Sequence, residues 1–579
     1  MSKEEGKKYT LCMYDVRGIQ EYIFRTNRLR HVIGASYLVE NFFQKGIGEV
    51  SKAIWTNKDH CYVTDWCWPE KEQHPKLRIE DNEDIEMEVL YIGGGNALIL
   101  FRKKQADIAG NLETSILFNR KFSHWILDQT YTLRLAIAKI DTYLENYSDD
   151  YKMLLQEMQR VKANMPSSEP FTGFPFVARE AASGRALSDT FDYTTSQYVS
   201  RETASKLRAL DRQVGQPTEG KHLDDLVSLK GDDSWLAFVH IDGNSVGRRI
   251  KEILEKTNKQ SYSENIQTMR SVSCSISQGF ETTYVSMKEA LDKTKADPEE
   301  QLIRKVILAG DDITFVCNAN VAISLVKFFL EEVSKKYMYT GENEAADPLY
   351  AFSACAGIAF ANSHFPFYEA YQIAEACCSS AKKSAKAKEN AIIYFDTDGQ
   401  EHQLIGCWVD FQFCDHINII QLEKYRRRQY LLPDGTYLLK RPYWVPDGET
   451  DGRESFSDEM SASSIENLIQ RILALSDKKE NTASSEQNSS TASEQDGHIR
   501  EEVTGIVGVV PRRWCKKARE AYTRGKAALT AFVAEAETRH RHFPINNENA
   551  YMDNVATYYD AIELADHFQD LALKGPEGF

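Results

Sequence analysis

The sequence predicts an α+β fold made of two ferredoxin-like units and a helical C-terminal region. Two observations carry this. An apolar strand that ends in a carboxylate and runs into a helix occurs twice, at YTLCMYD (9–15) and at SWLAFVHID (234–242). Each copy is followed by two apolar strands around a small turn, EVLYIGGGNALILF (88–101) and KVILAGDDITFVC (305–317). The order matches β-α-β-β-α-β, so the chain carries a weak internal repeat.

Each element has its own signal. After the first strand, Ile19, Tyr22, Ile23, Val32, Ile33, Tyr37, Leu38 and Phe42 recur at three- and four-residue spacings, the period of a buried helix face. The glycine turn at 93–95 reads as a hairpin. A long helical stretch is expected over about 106–164. In the second copy, GNSVGRRIKEILEK (243–256) reads as a turn and helix, followed by the 305–317 hairpin and a helix over 320–337. Residues 350–360 read as a strand, 366–388 as a helix, and AIIYFD (391–396) as the strand that closes the unit. The expected domains are 1–164, a polar inter-unit segment 165–232, 233–400, a mixed strand and turn region 401–476, an apolar-poor linker 477–497 and a helical domain 498–579.

The chain has 579 residues, 42% of them hydrophobic, and a formal charge of −16. The acidic balance argues against a protein that coats nucleic acid on its own, because neutralising phosphates takes clustered Lys and Arg. Eleven cysteines are scattered with no CxxC pair, which argues against a zinc ribbon. Most sit in apolar runs, where a free thiol behaves as a small hydrophobe. The start, MSKEEGKKYT, is charged. No run approaches the roughly 20 apolar residues that span a bilayer. The expectation is a soluble cytoplasmic protein with no membrane partner.

The chemistry centres on Asp242, which closes one strand, and Asp311 and Asp312, which sit on the neighbouring hairpin turn. Carboxylates at such positions can meet on one sheet edge and hold two Mg²⁺ or Mn²⁺ ions, with the main chain at Ile241 a further ligand. Asp-Asp in a hairpin alone is usually turn chemistry; the carboxylate-terminated strand upstream changes the balance. Ala309 and Gly310 allow close approach of a phosphate or base. Gly243, Asn244 and Ser245 lie where a helix N-terminus would offer amides to phosphate. Lys382 flanks an apolar stripe (Ala370, Ala374, Cys377, Cys378, Ala381, Ala385); its spacing alone reads as a surface lysine. The first copy ends its strand in Asp15 but carries Gly93, Gly94 and Gly95 before Asn96 in place of the carboxylate pair. It could bind a nucleotide through its glycines but should not hold two metals.

GIQEYIF (18–24), GASYLVENF (34–42), YIGGGNALILF (91–101), IDGNSVG (241–247), LAGDDITF (308–315) and GIAFANSHFPFYEAYQIAEACCSSAKKSAK (357–386) together resemble the large polymerase-like subunit of type III CRISPR effectors. The resemblance covers roughly 8–160 and 234–397. It implies two palm domains of the nucleotide-cyclase and polymerase type arranged as a pseudo-dimer, one catalytic and one degenerate. It implies synthesis of cyclic oligoadenylates from ATP. Asp242 and Asp311 would be metal ligands, with Asp312 a ligand or close support. Lys382 would touch the triphosphate, and Gly93, Gly94 and Gly95 would line the acceptor nucleotide site. FTGFPFV (171–177) resembles an inter-palm segment that often carries zinc cysteines, absent here. The hairpin reads AGDD where the family has GGDD, and no HD motif stands upstream, so DNA cleavage is not expected.

The reading is therefore a cyclic di- or oligonucleotide synthase of antiviral defence, using nucleoside triphosphates. Its expected partners are an RNA or protein activator, a downstream effector that senses the cyclic nucleotide, and further copies of the chain. The rivals are a non-catalytic RNA-binding scaffold subunit of a CRISPR-type complex and a diguanylate-cyclase-like enzyme using GTP. Residues 401–579 either brace the palms or sense an activator.

Overall fold

The computed structural model describes residues 9–574 apart from 27, 69–73, 94, 104–112, 166–175, 214–225, 227–234, 258, 296–299, 340–346, 397, 415–420, 447–453, 476–511 and 540–542. The expected linker 477–497 and most of FTGFPFV lie outside the described residues.

The first unit runs β1 (Tyr9–Arg17), α1 (Ile19–Phe24), α2 (Leu29–Ile54), β2 (Tyr62–Val63), β3 (Met87–Gly93), β4 (Asn96–Arg102), α3 (Thr114–Thr130), β5 (Arg134–Thr142) and α4 (Tyr147–Asn164). Its sheet order is β2-β3-β4-β1-β5, the ferredoxin-like arrangement with one added edge strand. The helical expectation for 106–164 is corrected here. β5 interrupts it and pairs with β1 along the whole of that strand. The inter-unit segment forms a hairpin, β6 (Leu187–Asp192) and β7 (Gln197–Ser200), and a helix, α5 (Arg201–Gln213).

The second unit runs β8 (Trp235–Gly243), α6 (Val246–Lys256), α7 (Tyr262–Asp292), β9 (Ile303–Ala309), β10 (Asp312–Asn318), α8 (Ala322–Ser334), β11 (Ala354–Asn362) and α9 (Phe367–Ala385). The rest comprises β12 (Ala391–Phe395), β13 (Glu401–Ile405), β14 (Cys407–Phe413), α10 (Leu422–Tyr430), β15 (Tyr443–Val445), β16 (Glu454–Ser455), α11 (Asp458–Ala462), α12 (Ile465–Leu475), α13 (Arg512–Thr523), α14 (Lys526–Thr538), β17 (Tyr551–Met552), β18 (Val555–Ala556) and α15 (Tyr559–Leu564). The second large sheet is ordered β15-β14-β11-β8-β10-β9. Here the strand at 391–396 departs from expectation. It joins a separate sheet, β13-β12-β16, and β14 extends the main sheet instead. β14 lies parallel to β11, a pairing that needs a long crossover, and α9 within that crossover packs on both strands. Region 401–476 also contains helices, and the helical end is interrupted by the β17–β18 hairpin.

The two units pack reciprocally. α2 of the first lies against β9 of the second, and α7 of the second lies against β3 of the first. One hydrophobic cluster crosses between them, with Phe24 stacked on Tyr371 at 4.2 Å and on Phe367 at 5.4 Å. Polar bonds fix the register of the units. Ser36 Oγ donates to the Val306 carbonyl, Lys305 pairs with Glu40 at 3.0 Å, and buried Arg270 pairs with buried Glu88 at 2.9 Å. Burying a charged pair is tolerable here because the Arg270 guanidinium also donates to the carbonyls of Pro75, Lys76, Val89 and Leu90. The C-terminal helices share a core with the second sheet. Buried Arg441 bridges to Asp560 at 3.1 Å and to Glu563, while Arg426 pairs with Asp410 of β14 at 2.8 Å. No helix among the described residues is long and apolar enough to cross a membrane.

Two outcomes follow from the packing. A Cβ at Gly357 would sit 1.9 Å from the Ala374 carbonyl oxygen and 2.3 Å from the Cys378 amide, so β11 and α9 touch backbone to backbone. Gly357→Ala should cost about 1–3 kcal/mol or more as a lowered melting temperature, since neither neighbour is a side chain that can turn away. His31 is buried, and burial holds its imidazole down at about 4 against an ordinary 6.5. The unfolded chain takes up that proton near 6.5 and the folded chain does not until about 4. Stability should therefore fall as pH drops through that window, by an upper limit on the order of 3 kcal/mol. His31→Gln should show a correspondingly shallower loss in urea titrations at pH 7 and pH 4.5.

Candidate active site

β8 is a central strand, with β10 on one side and β11 on the other. Its register sets Asp242 opposite Asp312 of β10 and Cys355 of β11. The Gly243 amide donates to the Asp311 carbonyl at 3.2 Å, which ties the hairpin turn to the end of β8. Only glycine fits at 243, because a Cβ there would lie 2.8 Å from both the Cβ and an oxygen of Asp311. Gly310 turns the hairpin at φ 65°, a left-handed conformation that glycine adopts without strain. The sequence-predicted trio Asp242, Asp311 and Asp312 thus stands together at one sheet edge. Ile241 is fully buried between Ile313 and Ala356, so only its main chain could face a cation.

Lys382 comes from α9, which packs on β8 and β11. Its ammonium bonds the Asp242 carboxylate and donates to the Gly243 carbonyl at 3.1 Å. Burial works against its charge, but the Asp242 contact outweighs that and its pKa is raised. The carboxylates move the other way. Burial, then the charge of Asp242, pushes Asp311 up to about 6. Burial, then Asp242, then Asp311, pushes Asp312 up to about 8. His240 lies 3.5 Å from Asp312, and burial lowers it to about 4, so it carries no compensating charge at neutral pH. One oxygen of Asp312 is buried with no hydrogen-bond donor among the described residues. Three crowded carboxylates, one of them lacking a donor, fit a divalent cation by the chemistry of hard oxygen ligands.

The phosphate seat expected at 243–245 is partly redirected. Ser245 caps α6 with φ 56°, and its side chain makes no capping bond. Asn244 is buried and its amide donates to the Gly406 carbonyl at 3.2 Å, so that side chain faces the fold and not the cleft.

The first unit repeats the geometry without the chemistry. Asp15 of β1 faces Asn96 of β4 as Asp242 faces Asp312, and Gly93 stands opposite Asn96 as Ala309 stands opposite Asp312. Lys162 bonds Asp15 at 2.6 Å. Counted from Tyr147 and from Phe367, Lys162 and Lys382 are each the sixteenth residue of their helices. The Asp–Lys pair is therefore duplicated, while the hairpin carboxylates are not. Gly93 and Gly95 face the other unit, and Gly94 lies outside the described residues.

A cavity of about 660 Å³ lies between the hairpins, reached by Gly93 and Gly95 from one side and by Ala309, Gly310 and Asp312 from the other. Tyr371, Gln372 and Glu375 of α9, Ser277 and Glu281 of α7, and Trp66 of the first palm are among the other residues of its wall. Sequence reasoning missed these. A signal was present for α9, because Tyr368, Tyr371, Glu375 and Lys382 fall on one helix face at three-, four- and seven-residue steps.

The fold and site define a pair of palm domains, one bearing a carboxylate trio and one lacking it. Residues 235–392 match the sequence family described as Cas10/Cmr2, second palm domain. No curated protein matches the chain. Solved structures similar to it include the Csm1-Csm4 cassette in complex with cA4, at 13% identity and TM-score 0.36, covering 69% of this chain and 56% of that one. The apo Csm1-Csm4 cassette is similar at 12% identity and TM-score 0.42, covering 98% and 72%. The type III-B Cmr-beta complex in its apo state is similar at 9% identity and TM-score 0.49, covering 97% and 82%. The chain spans 56% and 55% of the first two cassette structures that it matches.

Crowding of the carboxylates has a measurable cost. Asp312→Asn should raise the melting temperature of the metal-free protein by about 1–2 kcal/mol in stability terms, less than its raised pKa alone implies because its side chain is 34% exposed and solvent screens the repulsion. Differential scanning calorimetry in EDTA checks this.

Proposed function

We propose that the cleft between the palms binds two nucleoside triphosphates, and that the second palm joins them into a cyclic di- or oligonucleotide with release of pyrophosphate. The observation that carries this reading is the convergence of Asp242, Asp311 and Asp312 where β8 meets the β9–β10 hairpin, with Asp312 on the wall of a cavity that both hairpins share. In each step the 3′-oxygen of one nucleotide forms a bond to the α-phosphorus of the other. The bond from that phosphorus to pyrophosphate breaks, and the hydroxyl proton passes to solvent. Divalent cations, Mg²⁺ or Mn²⁺, held by Asp242, Asp311 and Asp312, neutralise the phosphates and activate the hydroxyl when bound.

This chain's own residues do the rest. Ala309 and Gly310 carry little side chain, so a nucleotide can lie close to the hairpin. Lys382 is available to the triphosphate once cations take over the charge of Asp242. Gly93 and Gly95 of the first palm leave matching room for the acceptor. With Asn96 in place of a second-palm aspartate, that copy orients a substrate and does not activate it. Catalysis of this kind rests on positioning and charge stabilisation.

On the resemblance noted in the sequence, ATP is the first substrate to test and a cyclic oligoadenylate the expected product. In that reading the product signals to an effector in antiviral defence, and RNA or a protein partner activates the synthase. Incubating the protein with each nucleoside triphosphate and Mg²⁺ or Mn²⁺, with mass spectrometry of the products, is the test. A cyclic product is expected, reduced on the order of 100-fold or more in Asp311→Asn/Asp312→Asn, the scale of losing a strong transition-state stabiliser. Equal product from the double variant overturns the assignment.

A further inference from the structure

A cluster of soft donors spans the two palms away from the carboxylate edge. Cys67 and His74 stand in the segment between β2 and β3 of the first palm, and Cys274 stands on α7 of the second. Their ligand atoms all lie within 4.8 Å of one another, with His74 and Cys274 buried and Cys67 half-buried. In this structure Cys67 and Cys274 are joined as a disulfide, their Cα atoms 6.3 Å apart and their positions 207 residues apart in sequence.

The fold assembles this cluster mostly with bonds that leave the donor atoms free. Ser263, Gln267, Arg270 and Cys274 share one face of α7 at three- and four-residue steps. The Leu77 amide donates to Ser263 Oγ at 3.0 Å. Gln267 Nε2 donates to the His74 carbonyl at 2.8 Å, and Arg270 Nη1 donates to the Pro75 carbonyl at 2.8 Å. Residues 74–77 are thereby laid along α7 by side chains on the face that carries Cys274. The Trp68 amide donates to His74 Nδ1 at 3.1 Å, which draws the Cys67 end to the same point. A site held by its surroundings in this way is preorganised for a ligand.

Two thiolates and an imidazole form a donor set for a thiophilic divalent cation, four-coordinate with water in the last position. A disulfide between the same cysteines is the competing state. It uses the two sulfurs, leaves the imidazole without a part, and excludes the metal because a cystine has no thiolate to give.

We propose that, in the reduced protein, Cys67, His74 and Cys274 bind a divalent cation of the zinc class that fastens the first palm to α7 of the second. Loading costs the Trp68 bond or turns the imidazole over, since a nitrogen that accepts from an amide cannot also bind a cation. The location gives the fastening a consequence. Trp66, next to Cys67, and Ser277, one turn beyond Cys274, both line the nucleotide cavity. The cation would set the spacing of two of its walls, independently of the chemistry at the carboxylate edge.

The test uses the full chain purified under reductant and without chelator. Elemental analysis should find one zinc per chain in the wild type and at least tenfold less in Cys274→Ser and in His74→Ala. Metal-stripped wild-type protein given Co²⁺ should develop thiolate-to-cobalt charge-transfer absorption, a readout that needs no variant to fold. Reduced wild-type protein that takes up neither Zn²⁺ nor Co²⁺ overturns the proposal. So does zinc that persists undiminished in folded Cys274→Ser, or a Cys67–Cys274 disulfide that survives reductant in peptide mass spectrometry.

Discussion

The structure depends on the register of β8 against β10. With Asp242 opposite Asp312 and the Gly243 amide on the Asp311 carbonyl, three carboxylates are forced together at one end of a sheet whose central strands are mainly apolar. Shifting the register by one residue would turn Asp242 to the other face, toward Ile313 and Phe315 of β10, and turn Val239 and Ile241 out of that core. The apolar pattern of β8 therefore specifies the acidic edge as firmly as the aspartates themselves do. Repulsion among the carboxylates opposes folding, and the buried strands on either side supply the stability that holds them together.

The two palms divide the labour. Both keep an Asp–Lys pair at corresponding positions, Asp15 with Lys162 and Asp242 with Lys382. Only the second adds the hairpin carboxylates. Reciprocal packing of α2 on β9 and α7 on β3 turns the two hairpins toward one cavity. In the proposed function, this asymmetry gives each of two nucleotides a different role. The C-terminal region packs onto the second palm through Arg441, Asp560 and Glu563, so its visible contribution is to brace that palm.

Much of this was legible in the sequence because it is local. Strands that end in Asp15 and Asp242, hairpins at 93–96 and 309–312, and the helix carrying Lys382 are signals within short windows. What escaped was non-local or weakly patterned. β5 was absorbed into a helix because Leu135, Ala136, Ile137 and Ala138 are consecutive apolar residues that suit either element. α7 went unread across Tyr262–Asp292 because Ser, Thr and Gln interrupt its apolar stripe. The place of β14 beside β11 follows from a crossover that no window contains. The inward turn of Asn244 depends on the Gly406 carbonyl, far along the chain. The absence of CxxC spacing argues only against a zinc ribbon, and Cys67, His74 and Cys274 meet because α7 crosses between palms.

In the proposed function, Asp242, Asp311 and Asp312 form one cation-dependent seat for a triphosphate. Isothermal titration of non-hydrolysable triphosphate analogues, with Mn²⁺ and with EDTA, tests it most directly. At least one analogue should bind with Mn²⁺, and that binding should be lost in EDTA and in Asp311→Asn. An analogue that binds with equal affinity in all three conditions would contradict it.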